Sequence, residues 1–507
     1  MPSLDWIGKT SILNHHNEIP YRLVECNEVI GDLNAGNLIV KGDNLHALKA
    51  LLPYYKGKVK LIYIDPPYNT GNSSWVYNDA MNAPEIKAWL DKTVDSNDLS
   101  RSDKWLCMMY PRLKLLKEFL KEDGVIFISI DDAEIGHLRL IMDEIFGKNN
   151  FVANIVWQKR TSPDARIHLG PAHDYILVFS KNGSPIFNKL TLSENQASKF
   201  KNPDNDPRGL WTSTDFTAQG FRPNQMYKLR TPGGAEYEPP LGRCWANIES
   251  VFQNLLADNR MWFGKDGKSR PRVKTYLSET KGISSWTWWT NTDASHNQEA
   301  KKEINAILQH ETPFDTPKPT RLIRRILEIA TNPGDIVLDS FAGSGTTAHA
   351  VLMQNAEDGG SRKFVLVEME DYAREITAER VKRVIEGYGT VKATGGGFRY
   401  CELGEPIKDE NGALNPEVSA EALAKHLFFS EYGVPLETKA TLPYIGSFNE
   451  SGLYLFFDTF ERKKLAQILK DTNKSRIVYA ASCTIDPQKL KDAGITFRQL
   501  PFEIKDR

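Results

Sequence analysis

The chain has 507 residues, with 25% charged and 40% hydrophobic residues and a net charge of −1. That length predicts more than one domain and a large core, and the composition fits a soluble globular protein rather than a disordered one. The charge excludes a global basic field, so any nucleic-acid contact must come from local patches.

The N-terminus lacks the basic and apolar regions of a signal peptide, and no apolar run is long enough to span a bilayer. A cytoplasmic location is expected, with no membrane partner. The five cysteines, Cys26, Cys107, Cys244, Cys401 and Cys483, are far apart in sequence. Their odd number and the absence of a CxxC spacing predict reduced thiols and no zinc site. His15 and His16 read as a surface pair.

The first elements alternate. Leu38 to Val40 reads as a strand, Gly42-Asp43 as a turn, and a helix begins near Asn44 in "NLIVKGDNLHAL". A second strand runs through "VKLIYI" into "DPPYNTG", Asp65 to Gly71. "PRLKLLKEFLKEDG" is helical, and "VIFISI" is a strand ending at Asp131 and Asp132. "NIVWQK" and "HDYILVFSK" are spaced as a strand pair, with Pro163 and Gly170-Pro171 between them. Strands alternating with helices predict a mostly parallel α/β sheet.

From about Lys189 the pattern changes. Between Lys199 and Lys281 there are 14 Lys or Arg against 9 Asp or Glu, and six of the eleven tryptophans lie between Trp211 and Trp289. This is the pattern of an inserted module of short strands and loops. The α/β pattern then resumes with the helix of "TPKPTRLIRRILEIATNPG" and the strand, glycine loop and helix of "DIVLDSFAGSGTTAHAV". The strand "KFVLVEME" ends at Glu368, and Tyr372 to Glu386 reads as a helix. "TGGGFRYCELGEP" marks a boundary before a small α/β tail.

Two loops carry chemistry. Asp339 ends a strand, and Gly343, Ser344 and Gly345 let the backbone approach a ligand, which such sheets bind beyond their carboxyl edge. Glu368 ends the following strand, where an acid can accept from ribose hydroxyls. The loop is neither GxGxxG nor GxxxxGK[ST], which disfavours a dinucleotide or a gripped phosphate. In the other loop, Pro66 and Pro67 fix the backbone. The Asp65 carboxylate and the Pro66 carbonyl are two acceptors suited to one NH2 group. Tyr68 offers a face for stacking a base, worth about 1–3 kcal/mol, and a base in a duplex must be flipped out to reach it. An ordinary glycine turn, or a rigid proline turn with a capping aspartate, is the bland alternative in each case. Asp131, Asp132 and His137 resemble a metal cluster, but the chemistry needs no metal and helix capping explains them.

"DPPYNTG" and "DSFAGSGTT", in that order, with "KGDNLHAL" and "TPKPTRLIRRIL" ahead of them, resemble the β-class DNA amino-methyltransferases. More narrowly they resemble the modification (Mod) subunits of Type III restriction–modification systems, over Asn37 to about Tyr400. The resemblance implies an α/β fold: a permuted seven-stranded Rossmann-like methyltransferase sheet, an inserted target-recognition domain and a small C-terminal α/β module. The expected division is 1–188 (catalytic half), 189–312 (target recognition), 313–400 (cofactor half) and 401–507 (C-terminal module, for dimer or partner docking).

The implied cofactor is S-adenosyl-L-methionine. It would be held by Asp43, Asp65, Lys318 (with Pro319), Asp339, Phe341, Gly343, Ser344, Gly345, Thr346 and Glu368. The implied catalytic residues are Asp65, Pro66, Pro67 and Tyr68; Asp65 in place of serine favours adenine N6 over cytosine N4. Asn69 and Thr70 extend the match without an assigned role. Arg222, Lys228, Arg230, Lys265, Lys268, Arg270 and Arg272 are candidates for DNA contact.

The implied partners are double-stranded DNA, a second copy of the chain and a restriction (nuclease and helicase) subunit. The chain is shorter than many such subunits, and "GITFRQLPFEIKDR" need not dock a nuclease. A Type II-like enzyme, a cytosine-N4 methyltransferase, an RNA methyltransferase and a subunit devoted mainly to recognition are the other readings.

Overall fold

A computed structural model describes residues 4–70, 100–162, 168–183, 185–309, 314–409, 411–432, 436 and 438–504. Gly71 and Pro163 lie outside the described residues. The chain forms two compact units, one of Met1–Phe187 with Trp286–Arg507, the other of Asn188–Ser285.

The larger unit is built on a ten-stranded sheet. In chain order its strands are β1 (Arg22–Gly31), β2 (Leu38–Lys41), β3 (Val59–Ile64), β4 (Leu120–Ile130), β5 (Phe151–Gln158), β6 (His173–Ser180), β7 (Trp288–Trp289), β8 (Ile336–Asp339), β9 (Lys363–Glu368) and β10 (Gly397–Pro406). Across the sheet they lie in the order β1-β10-β2-β9-β8-β3-β4-β6-β5-β7. The central neighbours β2, β9, β8, β3 and β4 run parallel, and β6 runs antiparallel to β4 and β5.

Parallel strands are covered on both faces and therefore read as unbroken apolar runs. All six residues of β3 are buried. Ile62 and Ile64 join the main core, with Ile126, Ile128, Leu338 and Val365. The alternate set, Leu61, Tyr63, Phe127, Val337 and Leu366, is buried as well. Six helices matter for the site: α1 (Asn44–Tyr55), α2 (Arg101–Phe119), α3 (Ile135–Met142), α4 (Thr320–Ala330), α5 (Thr346–Asp358) and α6 (Glu379–Glu386). Leu45 and Leu48 of α1, Trp105 and Leu113 of α2 and Leu138 of α3 fill the main core, while α4 and α5 pack on each other and on β3 and β9. The helix expected from Tyr372 is α-helical only from Glu379, because Arg374–Ala378 is a π-turn.

Several expectations change. Seven strands were expected and ten are present: β1 and β10 extend one edge and β7 the other. Trp288 and Trp289 pair in parallel with Val156 and Trp157, so this tryptophan pair belongs to the main sheet and the inserted unit ends at Ser285. The boundary expected at 312 lies outside the described residues. A boundary after residue 400 would cut β10 in two. Cys26 and Cys401 face each other across β1 and β10 and form a disulfide. That corrects the expectation of five reduced thiols: the two are 375 residues apart in sequence and adjacent only because the sheet pairs them. Cys107, Cys244 and Cys483 lie outside any disulfide. His15 is buried rather than a surface residue.

The tail carries a four-stranded sheet of Tyr444–Phe448, Ser451–Leu455, Ser475–Ala480 and Ile495–Gln499. Its core takes in Leu423 and Leu427 of the helix Ala420–Tyr432, and Leu23 of β1. The smaller unit has a three-stranded antiparallel sheet, Met261–Trp262, Arg272–Tyr276 and Trp211–Asp215, over a core of Phe216, Trp245, Phe252 and Phe263. No described helix is long and apolar enough to cross a membrane.

Candidate active site at the carboxyl edge of the sheet

Parallel strands end at one edge, and here they bring acids to it. Glu368 pairs with Lys41, Asp339 with Leu366, and Leu338 with Ile62. Asp43, Glu368, Asp339 and Asp65 therefore follow one another along the edge, behind β2, β9, β8 and β3.

The glycine loop is shaped by its own acids. Asp339 accepts from the Phe341 N–H at 3.0 Å and from the Thr347 hydroxyl. Glu368 accepts from the Gly343 N–H at 2.7 Å and the Glu370 N–H at 3.0 Å. Gly345 has φ 79°, and a Cβ there would lie 3.0 Å from the Thr377 carbonyl oxygen, so both conformation and space select glycine. Behind the loop the Arg380 guanidinium donates to Ser344 Oγ at 2.9 Å, Thr346 Oγ1 at 2.8 Å and Thr320 Oγ1 at 3.1 Å. Phe341 packs on the main core.

Burial pushes the Asp339 and Glu368 carboxyls up to about 7 each. Their hydrogen-bond donors here are hydroxyl or backbone groups, and neither has a paired cation among the described residues. A ligand bringing hydroxyl or amino donors, or positive charge, would relieve that desolvation. These residues thus fit the nucleoside and sulfonium of the implied cofactor.

The Asp-Pro-Pro-Tyr loop is fastened residue by residue. Lys318 Nζ lies 2.7 and 2.6 Å from the two Asp65 oxygens and 4.9 Å from the centre of the Tyr68 ring. Pro66 is buried and Pro67 exposed. The Trp105 indole donates to the Pro67 carbonyl at 2.7 Å. The Tyr68 hydroxyl points at Asp174 on β6, a long contact of 3.4 Å, and Asp174 is paired with Lys159 at 2.5 Å. Burial, then the Asp65 and Asp174 carboxylates, hold the Tyr68 phenol far above its ordinary range, so it stays neutral. Burial also raises Asp174. Asn69 has φ 60° and donates from Nδ2 to Glu134 Oε1 at 2.6 Å.

The structure brings Asp65, Tyr68, Lys318, Asp339, Gly343 and Glu368 to one edge. Thr346 joins them through its hydroxyl on the Lys318 carbonyl at 3.1 Å. Asp43 is there too, but is engaged: its carboxylate caps α1 through the Leu45 and His46 N–H groups at 2.9 and 3.1 Å, and Arg112 lies 3.4 Å away. Asp131 accepts from the Ala133 N–H just ahead of α3, and His137 pairs with Glu134 at 2.7 Å. Lys159, Asp174, Glu134, Trp105 and Arg380 were not singled out from the sequence. A carboxylate at the very start of "HDYILVFS" or just after "ISIDD" was the available signal for Asp174 and Glu134.

Within the smaller unit all seven candidate cations are exposed. Three are already engaged: Lys228 pairs with Glu236 at 2.6 Å, Arg272 bonds Ser213 Oγ and its carbonyl at 2.8 and 2.7 Å, and Arg222 donates to Gln225 Oε1 at 3.2 Å. Trp245 is core, its indole donating to the Tyr227 carbonyl at 2.7 Å.

A row of acids beside a proline-fixed loop and an aromatic ring suits a ligand that brings amine or hydroxyl donors. The chain matches the DNA methylase family over residues 59–379 and belongs to it. It is 35% identical over 88% of its length to the Type III restriction-modification enzyme StyLTI Mod subunit of Salmonella typhimurium, covering 68% of that protein. To the EcoPI Mod subunit of Escherichia phage P1 it is 31% identical, over 85% of this chain and 74% of that one. The DNA adenine methyltransferase YhdJ of Escherichia coli is 36% identical over 66% of this chain and 79% of its own. The chain is thus a Mod-like DNA methyltransferase.

Proposed function

We propose that the chain moves a methyl group from S-adenosyl-L-methionine to the N6 amine of an adenine flipped out of a specific DNA sequence, within a restriction–modification system. The observation that carries this reading is the adjacency of β3 and β8, which sets the Asp65 loop beside the Asp339 loop. The Asp65 charge reaches the Asp339 carboxyl and helps to raise it. Acceptor and cofactor loop are close enough to share one reaction.

Asp43, Lys318, Asp339, Phe341, Gly343, Ser344, Gly345, Thr346 and Glu368 would hold the cofactor. The cofactor supplies an electrophilic methyl on a sulfonium. Tyr68, neutral and braced, stacks the base. The Asp65 carboxylate and the Pro66 carbonyl accept from the two amine hydrogens and localise the nitrogen lone pair for attack. As the nitrogen–methyl bond forms, the sulfur–methyl bond would break and leave a neutral thioether, and the nitrogen would give up one proton, with the Asp65 carboxylate as its acceptor. Orientation does most of the work.

The sheet order from β2 to β5 supports a permuted methyltransferase sheet in which β8 plays the first strand and β9 the second. The unit Asn188–Ser285 would be the target-recognition domain, reading DNA with its exposed cations. The tail from residue 401 would serve docking to a second copy or to a nuclease subunit. A cytoplasmic location fits the methylation of cellular DNA.

Methylation-aware sequencing of DNA from cells expressing the chain or Asp65→Ala tests the reading. N6-methyladenine at one motif, present only with the wild type, is expected. N4-methylcytosine at a motif would move the assignment to the other base, and no modified motif would overturn it.

A further inference from the structure

Among the buried carboxylates that take no part in the transfer, Glu134 is bonded directly to the residue that follows Tyr68. Glu134 is 1% exposed and sits between the end of β4 and the start of α3. Its Oε1 accepts from Asn69 Nδ2 at 2.6 Å and from Ser102 Oγ at 2.8 Å, and its Oε2 lies 2.7 Å from His137 Nδ1. Arg101 Nε donates to the other end of the same amide, Asn69 Oδ1, at 3.0 Å. The Asn69 side chain is thus clamped at both ends, and Asn69 itself is 8% exposed.

What the clamp holds is conformation. Asn69 follows Tyr68 directly and has φ 60°, the left-handed region that costs an ordinary residue energy and that asparagine tolerates. That backbone angle sets where the chain leaves the proline-rigid loop, and so the pitch of the Tyr68 ring. Burying a carboxylate is costly unless donors surround it, and three of the groups around Glu134 come from separate elements.

We propose that Glu134 is a positioning residue for methyl transfer, holding Asn69 in the left-handed turn that aims Asp65 and Tyr68. It touches neither base nor cofactor and acts through Asn69. The proposal rests on the methyltransferase reading above.

The test compares full-length wild type, Glu134→Ala, Glu134→Gln, Asn69→Gly and the Glu134→Ala/Asn69→Gly double variant on DNA carrying the mapped motif. Glycine adopts φ 60° freely, so Asn69→Gly removes the side chain and keeps the angle accessible. Glu134→Ala is expected to lower kcat about a hundredfold, the scale of an ångström of misplacement. Its calorimetric Kd for S-adenosyl-L-methionine stays within about threefold, since that loop is not held by the clamp. Amide exchange at Tyr68 and Asn69 accelerates about tenfold or more, a local opening. Glu134→Gln, which still offers an acceptor to Asn69, regains at least about tenfold in kcat. The double variant is no slower than the slower single one within about threefold, because the two residues act in series.

A folded Glu134→Ala with kcat and exchange unchanged overturns the proposal. So do losses that multiply in the double variant, or a cofactor Kd that weakens in step with kcat. If Glu134→Ala does not fold, Asn69→Gly decides alone: slowed catalysis with faster exchange supports the role, and wild-type behaviour ends it. A wild type that neither binds the cofactor nor methylates DNA fails the methyltransferase reading instead, and the exchange arm still decides whether Glu134 holds the loop.

Discussion

The ammonium of Lys318 sits across both oxygens of Asp65, at 2.7 and 2.6 Å, although the two residues are 253 positions apart. The segment ahead of the glycine loop therefore reaches into the loop of Asp65 to Tyr68. One short bridge joins the two halves of the site, and it gathers at Asp65 a charge partner, an aromatic neighbour and the entry to a fixed turn.

Asp65→Asn keeps the shape of the side chain and removes the charge proposed above to accept from the amine and to take its proton. Turnover should fall by about a thousandfold or more, the loss expected when proton transfer and charge stabilisation go together. Cofactor binding, followed by calorimetry, should change by less than about threefold. An Asp65→Asn enzyme that retains a tenth of wild-type turnover would show that the carboxylate is not the acceptor.

Asp339 and Glu368 predict a pH dependence with a definite sign. Both carboxyls are raised to about 7 in the folded chain from ordinary values of 3.8 and 4.5. A raised acid contributes its stability below the unfolded value and loses it as pH climbs through the folded one. The melting temperature of the cofactor-free chain should therefore fall between about pH 4 and pH 7, in the part set by these two groups. Ligand donors lower both values, so cofactor binding should tighten from pH 6 to pH 8 and release protons. Calorimetry in buffers of different ionisation enthalpy counts those protons directly.

The seven exposed cations of the smaller unit are not equivalent. Among the described residues, Arg230, Lys265, Lys268 and Arg270 form no ion pair with an acid, whereas Lys228, Arg272 and Arg222 are engaged by Glu236, Ser213 and Gln225. A phosphate-contacting residue changed to alanine should reduce the slope of log Kd against log salt by roughly 0.9. That change is expected among the four and not for Lys228→Ala. Equal slopes for all variants would place the DNA elsewhere.

Denatured, unreduced chain treated with a thiol reagent should be labelled at Cys107, Cys244 and Cys483 and protected at Cys26 and Cys401, as peptide mass spectrometry would reveal. Reduction should then lower stability by about 2–5 kcal/mol, the usual worth of a native cross-link. Labelling at all five positions before reduction would restore the reduced-thiol picture.

Much of this site can be read from the sequence because of where it sits. Strands buried on both faces announce themselves as "VKLIYI" or "KFVLVE", and in a parallel sheet the residue after each run faces the ligand edge. Asp65, Asp339 and Glu368 are visible for that reason. What stays hidden depends on pairing between distant segments. No local pattern brings Lys318 to Asp65, Cys26 to Cys401 or Glu134 to Asn69. β7 is two residues long, too short for any period, so its tryptophans read as part of the insertion. Asp43 was legible as an edge residue, but not as one already committed to capping α1.

The sheet order has a consequence for synthesis on the ribosome. β2 and β3 are neighbours in sequence, yet β9 and β8 lie between them in the sheet. A growing chain that has made β3 must keep it unpaired with β2 until residues 336–368 emerge, which at about 5–20 residues per second takes on the order of tens of seconds. During that interval the apolar faces of β2 and β3 invite premature pairing or aggregation. The catalytic loop at Asp65 also has no Asp339 or Lys318 beside it, so newly made chains acquire a complete site only when the later strands slot in between the earlier ones.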